Sequence, residues 1–259
     1  MCRLGAEYRR DVRDRLERLP ATGPVLTEAD LEPLPEPVRR YIRLAGAIDR
    51  PGARHFRAVW QGRIRATADE PWMPFTAEQH NFPGEPARFF HMKARRSGLP
   101  VAVYHAFSNG SASMRVRLLG LFALVDRRGP DLDRAEAVTL LNDLCVMAPG
   151  ALCDAAIEWD PVDDRSARAR YTVGPNTVSA TLHFDEAGEL RDFVSDDRLI
   201  ASPDGRELTP CRWSTPLADY REFGPHRAAA RGEGRWHPPE GEFVYLELDL
   251  LELDHDGDG

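Results

Sequence analysis

An acid–base pair is the first chemistry that the sequence allows. Glu78 and His80 lie two residues apart in the segment EQHNF, so on a β-strand their side chains point to the same face. A carboxylate that holds an imidazole in one tautomer can work with it as a general acid and base. Gln79 lies between them and would point to the opposite face of that strand.

Three charged residues interrupt the apolar segment FVSDDRLI, residues 193–200. If the whole segment is one strand, Asp197 shares a face with the large apolar residue Phe193. Asp196 and Arg198 then share the other face and can pair with each other. A carboxylate that points into a core must be paired, hydrogen-bonded or protonated. We therefore expect Asp197 to meet a polar partner from another part of the chain.

Two interpretations of these polar residues are open. In the first they form a catalytic centre, and in the second a ligand-binding or hydrogen-bonded polar network that fixes strand register and helix docking. The network is favoured, because a Glu and a His two residues apart often occur by chance. The catalytic candidates are Glu78, His80, Asp143 and Asp197, and the network candidates are Gln79, Asn142, Asp196 and Arg198.

Motifs of the common catalytic and cofactor sites are missing from the sequence. It contains no G-x-S-x-G elbow, phosphate-binding loop, dinucleotide fingerprint or H-E-x-x-H zinc motif. His91 and His105 can meet across two strands, which is more typical of packing than of a zinc site. The ending DHDGDG matches only the first half of a calcium loop, so a solvated acidic tail is favoured. We expect no metal site and no cofactor.

Charge and hydropathy limit the partners. The 42 acidic and 34 basic residues give a net charge of -8, which disfavours nucleic acid. The sequence has no apolar run of about 18 residues, so it predicts no integral membrane segment. The N-terminus lacks the apolar core of a signal peptide. The four cysteines show no C-x-x-C spacing and are expected to be reduced. The sequence therefore predicts a soluble, cytoplasmic protein and leaves its oligomeric state open.

The chain divides into three parts by pattern. Residues 1–50 carry two short amphipathic helical patterns, which we expect to pack on the main domain. Residues 51–253 consist of alternating, strand-like segments separated by turns, with one inserted helix near 133–145. Residues 254–259 form the acidic tail.

The strand-like part predicts the fold class. Asn109-Gly110 lies between two strand-like segments, which is the strongest short signal for a β-hairpin. Ten to twelve antiparallel strands cannot stay flat, because their twist accumulates. We expect a mainly β (α+β) protein with a strongly curved antiparallel sheet or open half-barrel. The N-terminal helices and the inserted helix would cover its concave face.

Four stretches follow one another along the chain: LNDLCVMAPGALCDAAIEW, DFVSDDRL, WSTPLADY and GEGRWHPPEGEFVY. With this order of motifs the chain resembles an uncharacterised bacterial family, catalogued as a domain of unknown function of the 6544/6920 type. The resemblance extends from about Leu34 to the end of the sequence. It implies a shared fold and says nothing about a reaction.

Three classes of function follow from these observations. The favoured one is a binding protein that holds a small apolar or amphipathic, lipid-like ligand in the concavity of the sheet. The alternative is an acid–base hydrolase or isomerase that uses the His, Glu and Asp candidates. The third is a structural or protein-interaction role. Fold analogy supports the binding protein, so an enzyme is the less favoured reading.

Overall fold

Sixteen β-strands and three α-helices form most of the described part of the computed structural model, which covers residues 3–19, 23–153, 156–201 and 208–256. The predicted class, a mainly β protein with a few helices, is confirmed, although the strands outnumber the ten to twelve expected. The helices are α1 (Arg3–Leu16), α2 (Glu36–Leu44) and α3 (Pro130–Met147). The strands are β1 (Phe56–Ile64), β2 (Met73–Phe82), β3 (Ala87–Arg96), β4 (Leu99–Ser108), β5 (Ser111–Leu118), β6 (Phe122–Arg127), β7 (Ile157–Asp163), β8 (Ser166–Val173), β9 (Asn176–Phe184), β10 (Leu190–Ser195), β11 (Leu199–Ala201), β12 (Leu208–Pro210), β13 (Arg212–Ser214), β14 (Leu217–Phe223), β15 (His226–His237) and β16 (Phe243–His255).

One antiparallel sheet contains fourteen of the described strands. Its order is β6-β5-β4-β3-β2-β1-β16-β15-β13-β10-β9-β8-β7, and β14 pairs with β15 beside this path. The strands β11 and β12 form a separate pair. Because β6 and β7 are its two edges, the described sheet does not close into a barrel.

The helices lie on both faces of the sheet, whereas we expected all of them on one face. Asp143 of α3 accepts a hydrogen bond from Gln79 at 2.8 Å, on the side that we call the inner face. Asp11 of α1 accepts one from the Tyr104 hydroxyl at 2.7 Å. Tyr104 lies in the same cross-strand row as Glu78, and therefore on the opposite, outer face. The narrow apolar stripe of α1 packs there on a small separate core.

The main core lies between the inner face and the helices α2 and α3. Tyr41 of α2 packs against Phe184 of β9, and its hydroxyl donates to the Cys145 carbonyl of α3 at 2.9 Å. Strand alternation supplies the sheet side of this core, as the buried residues Phe56 and Phe193 show. Burying large side chains of this kind removes apolar surface from water and stabilises the layer arrangement.

The β4–β5 hairpin turns at Asn109-Gly110, as the sequence predicts. Both residues have a positive φ, 55° and 75°, which this turn requires. The turn touches the β8–β9 turn, where Asn176 Nδ2 donates to the Gly110 carbonyl at 2.8 Å. A flat sheet would hold these turns roughly 40 Å apart at the usual strand spacing. The contact supports a bend in the sheet, and the strong curvature that we expect stays a prediction.

The segment FVSDDRLI does not form one strand, contrary to our expectation. The strand β10 ends at Ser195, and β11 begins at Leu199 in the separate two-stranded pair. The Ser195 hydroxyl donates to the Ser179 carbonyl at 2.7 Å and lies 3.2 Å from the Asp197 backbone N–H. Such local side-chain bonds give the backbone an alternative to the sheet ladder, so strand alternation stops before Asp196.

Two observed elements are longer than the sequence analysis predicted. The inserted helix extends beyond the predicted 133–145 at both ends. The strand β16 continues through His255, past the predicted start of the tail, and residues 257–259 lie outside the described residues. The division into three parts stays a prediction. Within the described residues, every helix is too short or too polar to span a membrane.

Candidate functional site

A buried polar cluster joins α3 to the inner face of β2 and β3. Oδ2 of Asp143 accepts hydrogen bonds from Gln79 Nε2 at 2.8 Å and Asn81 Nδ2 at 3.0 Å. Arg88 Nε donates to the same oxygen at 2.7 Å. Sequence reasoning predicted Gln79 and Asp143 and missed Arg88. Its contact with this group depends on the β2–β3 register, in which Arg88 lies opposite Asn81.

Glu136 extends this group along α3 and completes what we call the inner cluster: Gln79, Asn81, Arg88, Glu136 and Asp143. Glu136 lies seven residues before Asp143, so both carboxylates leave the same face of the helix. Its Oε2 atom lies 3.3 Å from Arg88 Nη1, and its Oε1 atom lies 3.4 Å from His105 Nδ1. Burial raises the pKa of the Glu136 carboxyl, but its basic neighbours, His105 first, outweigh burial and lower this pKa to about 2.

The burial of the inner cluster limits what it can do. Its five residues are at most 7% exposed, and their hydrogen bonds join one another across the interface between helix and sheet. A reacting group must be reached by substrate and water, whereas a closed network of this type holds elements in place. The geometry is typical of a structural network that fixes α3 on the sheet.

His80 lies on the outer face near α1, in contact with a second histidine. The Nδ1 atom of His80 is 2.7 Å from His55 Nε2. Burial lowers the pKa of both imidazoles to about 4, so both are neutral at neutral pH. Glu78 Oε1 is 3.9 Å from His80 Nε2, and it accepts a hydrogen bond from Arg57 Nε at 2.7 Å. The ion pair with Arg57, rather than a bond to His80, satisfies the Glu78 carboxylate.

Asp197 meets partners from two other elements, as its polar position requires. It accepts hydrogen bonds from Arg134 Nη2 of α3 at 2.5 Å and from the Ser179 backbone N–H of β9 at 2.6 Å. Neither Arg134 nor Ser179 was among the candidate residues of the sequence analysis. Asp196 pairs at the surface with Arg212, at 2.8 Å, and not with its neighbour on the same segment.

The guanidinium of Arg198 lies against the aromatic side chains of the C-terminal half of the sheet. Its Cζ atom is 4.3 Å from the centroid of the Trp213 ring, a cation–π arrangement, and its Nη1 donates to Thr139 of α3 at 3.0 Å. One turn farther along α3, Asn142 Oδ1 accepts a hydrogen bond from the Thr215 hydroxyl at 2.6 Å. These two hydrogen bonds therefore connect α3 to the segments that follow β10 and β13.

The predicted site residues do not converge on one centre. Glu78 and His80 lie on the outer face, whereas Gln79 and Asp143 lie on the inner face, so the sheet separates the two groups. The residues that follow β10 form a third group around Asp197. Among the described residues, no group of three or more His, Cys, Asp or Glu side chains is arranged to hold a metal ion.

An open groove of about 1310 Å³ lies on the outer face, between the start of α1 and the β5–β6 turn. One cross-strand row of β2 to β6 contributes to it: Thr76, Lys93, Ala102, Arg117 and Ala123. We call it the basic groove. Its basic side chains are Arg3, Lys93, Arg95, Arg115, Arg117 and Arg128, its acidic ones are Glu7 and Asp126, and its apolar lining includes Leu4, Pro100, Leu119 and Leu121.

The charges of the basic groove do not cancel. Glu7 forms an ion pair with Arg115, and Asp126 forms one with Arg117 at 3.2 Å. Four of the six basic side chains are therefore in excess over the carboxylates that line the groove. Sequence reasoning missed this site, although a signal was present. Basic residues alternate at positions 93 and 95 and again at 115 and 117, and alternation with period two predicts one basic face.

A second, much smaller cavity lies on the inner side of the sheet. It has a volume of about 20 Å³ and is lined by Leu26, Ala47, Met147 and His226, among other residues. A cavity of this size has room for about one water molecule. The helices α2 and α3 and their core fill most of the inner face in this region.

The fold and these sites define a mainly β protein with an open antiparallel sheet, helices on both faces and a basic groove on the outer face. A family model matches residues 24–248, and the chain belongs to this family, which is described as a family of unknown function (DUF6544). A search of curated proteins gave no match.

Solved structures provide weak likenesses to the whole chain. A LolA superfamily protein from Nitrosomonas europaea is 12% identical, with a TM-score of 0.45, and the match covers 90% of this chain and 94% of that one. A DUF1329 family protein from Desulfovibrio piger is 12% identical, with a TM-score of 0.46, and the match covers 86% and 93% of the two chains. At these values the likeness assigns no function.

Proposed function

We propose that the protein binds a small amphipathic, lipid-like ligand with an acidic head group in the basic groove. The observation that carries this proposal is the composition of the groove, which combines an apolar lining with an excess of four basic side chains. An amphipathic anion needs both features, because its chain must leave water and its head group must meet a positive charge.

The contrast with the rest of the molecule supports an anionic ligand. The whole chain carries a net charge of -8, so on average its surface repels anions. The groove concentrates positive charge against this background.

The size of the groove supports an extended ligand. Its volume of about 1310 Å³ exceeds the roughly 300–1,000 Å³ of typical small-molecule pockets, although it is open to solvent along its length. The predicted concave face, covered by helices, would correspond to the inner face, where α2 and α3 pack on the main core. We therefore place the ligand on the outer face. A cytoplasmic location is part of this proposal, and cell fractionation tests it.

The sequence offers a direct reporter, since Lys93 is its only lysine and lines the basic groove. We expect decanoate to protect Lys93 from an amine-reactive reagent, whereas decanol, which lacks the negative charge, protects it less. Peptide mass spectrometry separates Lys93 from the N-terminal amine. Equal labelling of Lys93 with and without decanoate, at concentrations that saturate binding measured by calorimetry, would place the ligand elsewhere.

Charge reversal gives the matching test of affinity. Lys93→Glu combined with Arg95→Glu removes two exposed positive charges of the groove and adds two negative ones. We expect decanoate binding to weaken by about tenfold or more, because several charge interactions of roughly 1 kcal/mol are lost. Arg168→Glu, at an exposed position of β8 far along the sheet order, is the control and should leave the affinity unchanged. Equal losses in both proteins would contradict a specific groove.

A further inference from the structure

Two turns lie side by side at one end of the sheet. They connect β3 to β4 and β5 to β6, and the Leu119 backbone N–H of the second donates to the Pro100 carbonyl beside the first at 2.9 Å. Their neighbouring segments, residues 93–100 and 115–128, form what we call the turn surface. It overlaps the basic groove, whose lining takes most of its basic side chains as well as Leu119 and Leu121 from these two segments. Leu99, Phe122 and Leu124 of the turn surface do not line the groove.

The turn surface exposes an unusual amount of apolar side chain. Leu121 is 80% exposed and Phe122 is 61% exposed, so most of each side chain lies in solvent. Leu99, Leu119 and Leu124 are each close to half exposed. These residues make up five of the ten large hydrophobic side chains that are exposed in the described part of the chain. Such a concentration marks an interaction surface.

The backbone of the second turn indicates that its side chains have a role. Leu119 has a φ of 55°, and Gly120 follows it with a φ of 72°. Asn, Asp or Gly normally occupies the first position of such a turn, because a leucine there is strained. Folding gives Leu119 little in return, since its side chain stays 45% exposed. A strained, exposed apolar residue of this kind is typical of functional positions.

The charge around these apolar residues identifies the partner. Residues 93–100 and 115–128 contain seven Lys or Arg residues and one carboxylate, Asp126, in a chain whose net charge is -8. Apolar side chains that protrude from a basic surface match the interface of an anionic lipid bilayer. There, Leu and Phe enter the acyl boundary while Lys and Arg meet the lipid phosphates.

We propose that the turn surface docks on anionic lipid bilayers, with Leu121 and Phe122 inserted and the surrounding basic side chains on the head groups. This docking goes beyond the binding of a single ligand in the basic groove, because it needs an assembled surface and uses the protruding tip of the second turn. Leu119 and Leu121 of the second turn line the groove, so docking would bring the groove to the bilayer.

Vesicle co-sedimentation of the full chain tests this docking. We expect the protein to bind vesicles of phosphatidylcholine that contain phosphatidylglycerol at least about tenfold more tightly than vesicles of phosphatidylcholine alone, and binding to weaken as salt is raised. Leu121→Glu combined with Phe122→Glu should reduce binding by about tenfold or more, because both apolar contacts are lost and negative charge is added. Val162→Glu is the matched control, since Val162 is 56% exposed on the opposite edge strand, β7. This control should bind like the unmodified protein.

Three results would overturn the docking proposal. One is equal binding to both kinds of vesicle, and another is an equal effect of the double variant and of the Val162 control. The third is a dimer of the unmodified protein, without vesicles, that the double variant abolishes, since a second copy would then cover the turn surface. Phe122→Glu alone keeps the two proposals separate, because Phe122 is exposed on the turn surface and does not line the basic groove, and both vesicle binding and, without vesicles, decanoate binding are measured on it. Loss of vesicle binding with retained decanoate binding supports docking through the turns alone.

Discussion

Arg88 Nε lies 2.7 Å from Asp143 Oδ2 inside the protein, where α3 meets the sheet. The two side chains are 8% and 9% exposed, so water screens their attraction little. The residues are 55 positions apart in sequence, and their contact fixes the inserted helix on β3. The folded state therefore depends on a charge pair at its centre.

Asp143→Ala is expected to lower the free energy of unfolding by about 3–5 kcal/mol, because it leaves the buried Arg88 guanidinium without its main partner. Chemical denaturation with urea measures this change. Asp196→Ala is the control, since the Asp196 side chain is 69% exposed and pairs with Arg212 at the surface. Its expected cost is below about 1 kcal/mol. Similar costs for the two variants would contradict the central role of the pair.

Glu136 predicts a loss of stability in strong acid. Its folded-state pKa of about 2 lies below its ordinary value of 4.5, so the folded protein holds this proton less tightly than the unfolded chain. The contribution of Glu136 is complete above pH 4.5 and is lost as the pH falls from 4.5 toward 2. Its size is on the order of 3 kcal/mol. Unfolding free energies of Glu136→Gln, which cannot titrate, should vary less across this window than those of the unmodified protein.

The neutral histidines His55 and His80 predict a separate loss of folding stability at mildly acidic pH. Their folded-state pKa of about 4 lies below the ordinary value of 6.5, so between these values the unfolded chain binds protons that the folded protein does not. Stability should therefore fall as the pH decreases from 6.5 to 4. His80→Gln should flatten this part of the stability profile. A profile of the variant that parallels the unmodified protein between pH 6.5 and 4 would show that His80 is protonated in the folded state.

Asp197 predicts a moderate stabilising effect, since its carboxylate joins Arg134 of α3 to the Ser179 backbone of β9. Asp197→Ala removes two charge-assisted hydrogen bonds from a side chain that is 22% exposed. We expect the free energy of unfolding to fall by about 2 kcal/mol. Thermal unfolding measures the change. Arg134→Ala should lower the free energy of unfolding by only part of this amount, because the Ser179 N–H still donates to the Asp197 carboxylate. Equal losses of stability in the two variants would show that the ion pair with Arg134 makes the whole contribution.

Gly110 and Gly98 form a matched pair of turn glycines. Both have a positive φ, 75° and 81°, so an alanine at either position is strained. A Cβ atom at Gly98 would have no neighbour within 4 Å, whereas one at Gly110 would lie 2.8 Å from Pro175 Cδ in the β8–β9 turn. We expect Gly98→Ala to cost about 1 kcal/mol and Gly110→Ala about 1–3 kcal/mol more. Equal melting temperatures would show that the two turns do not press together.

The confirmed predictions rest on short, local sequence patterns. Asn109-Gly110 determines a hairpin through its own backbone preferences. Such features depend on a few neighbouring residues, so one sequence is enough to identify them. The same holds for α3, whose predicted core of 133–145 lies within the observed helix.

The contacts that the sequence did not predict depend on the pairing register of strands that are distant along the chain. Glu136 carries a charge and looks like a solvent-facing helix residue until strand pairing brings Arg88 and His105 beneath it. The expected strand through Asp196 failed for a local reason, because the Ser195 hydroxyl takes over backbone bonds that a ladder would make. The alternation of basic residues that line the basic groove can be recognised in the sequence. The groove itself, however, is formed by α1 and by strands that only the fold brings together.

The pairing of β1 with β16 at the centre of the sheet has a consequence for biosynthesis. Phe56 lies opposite His255, so the middle of the sheet joins an early strand to the last strand described. During translation β1 leaves the ribosome long before its neighbour β16, and an unpaired strand edge of this kind is prone to aggregate. The nascent protein is therefore expected to need chaperone protection until β16 has been synthesised.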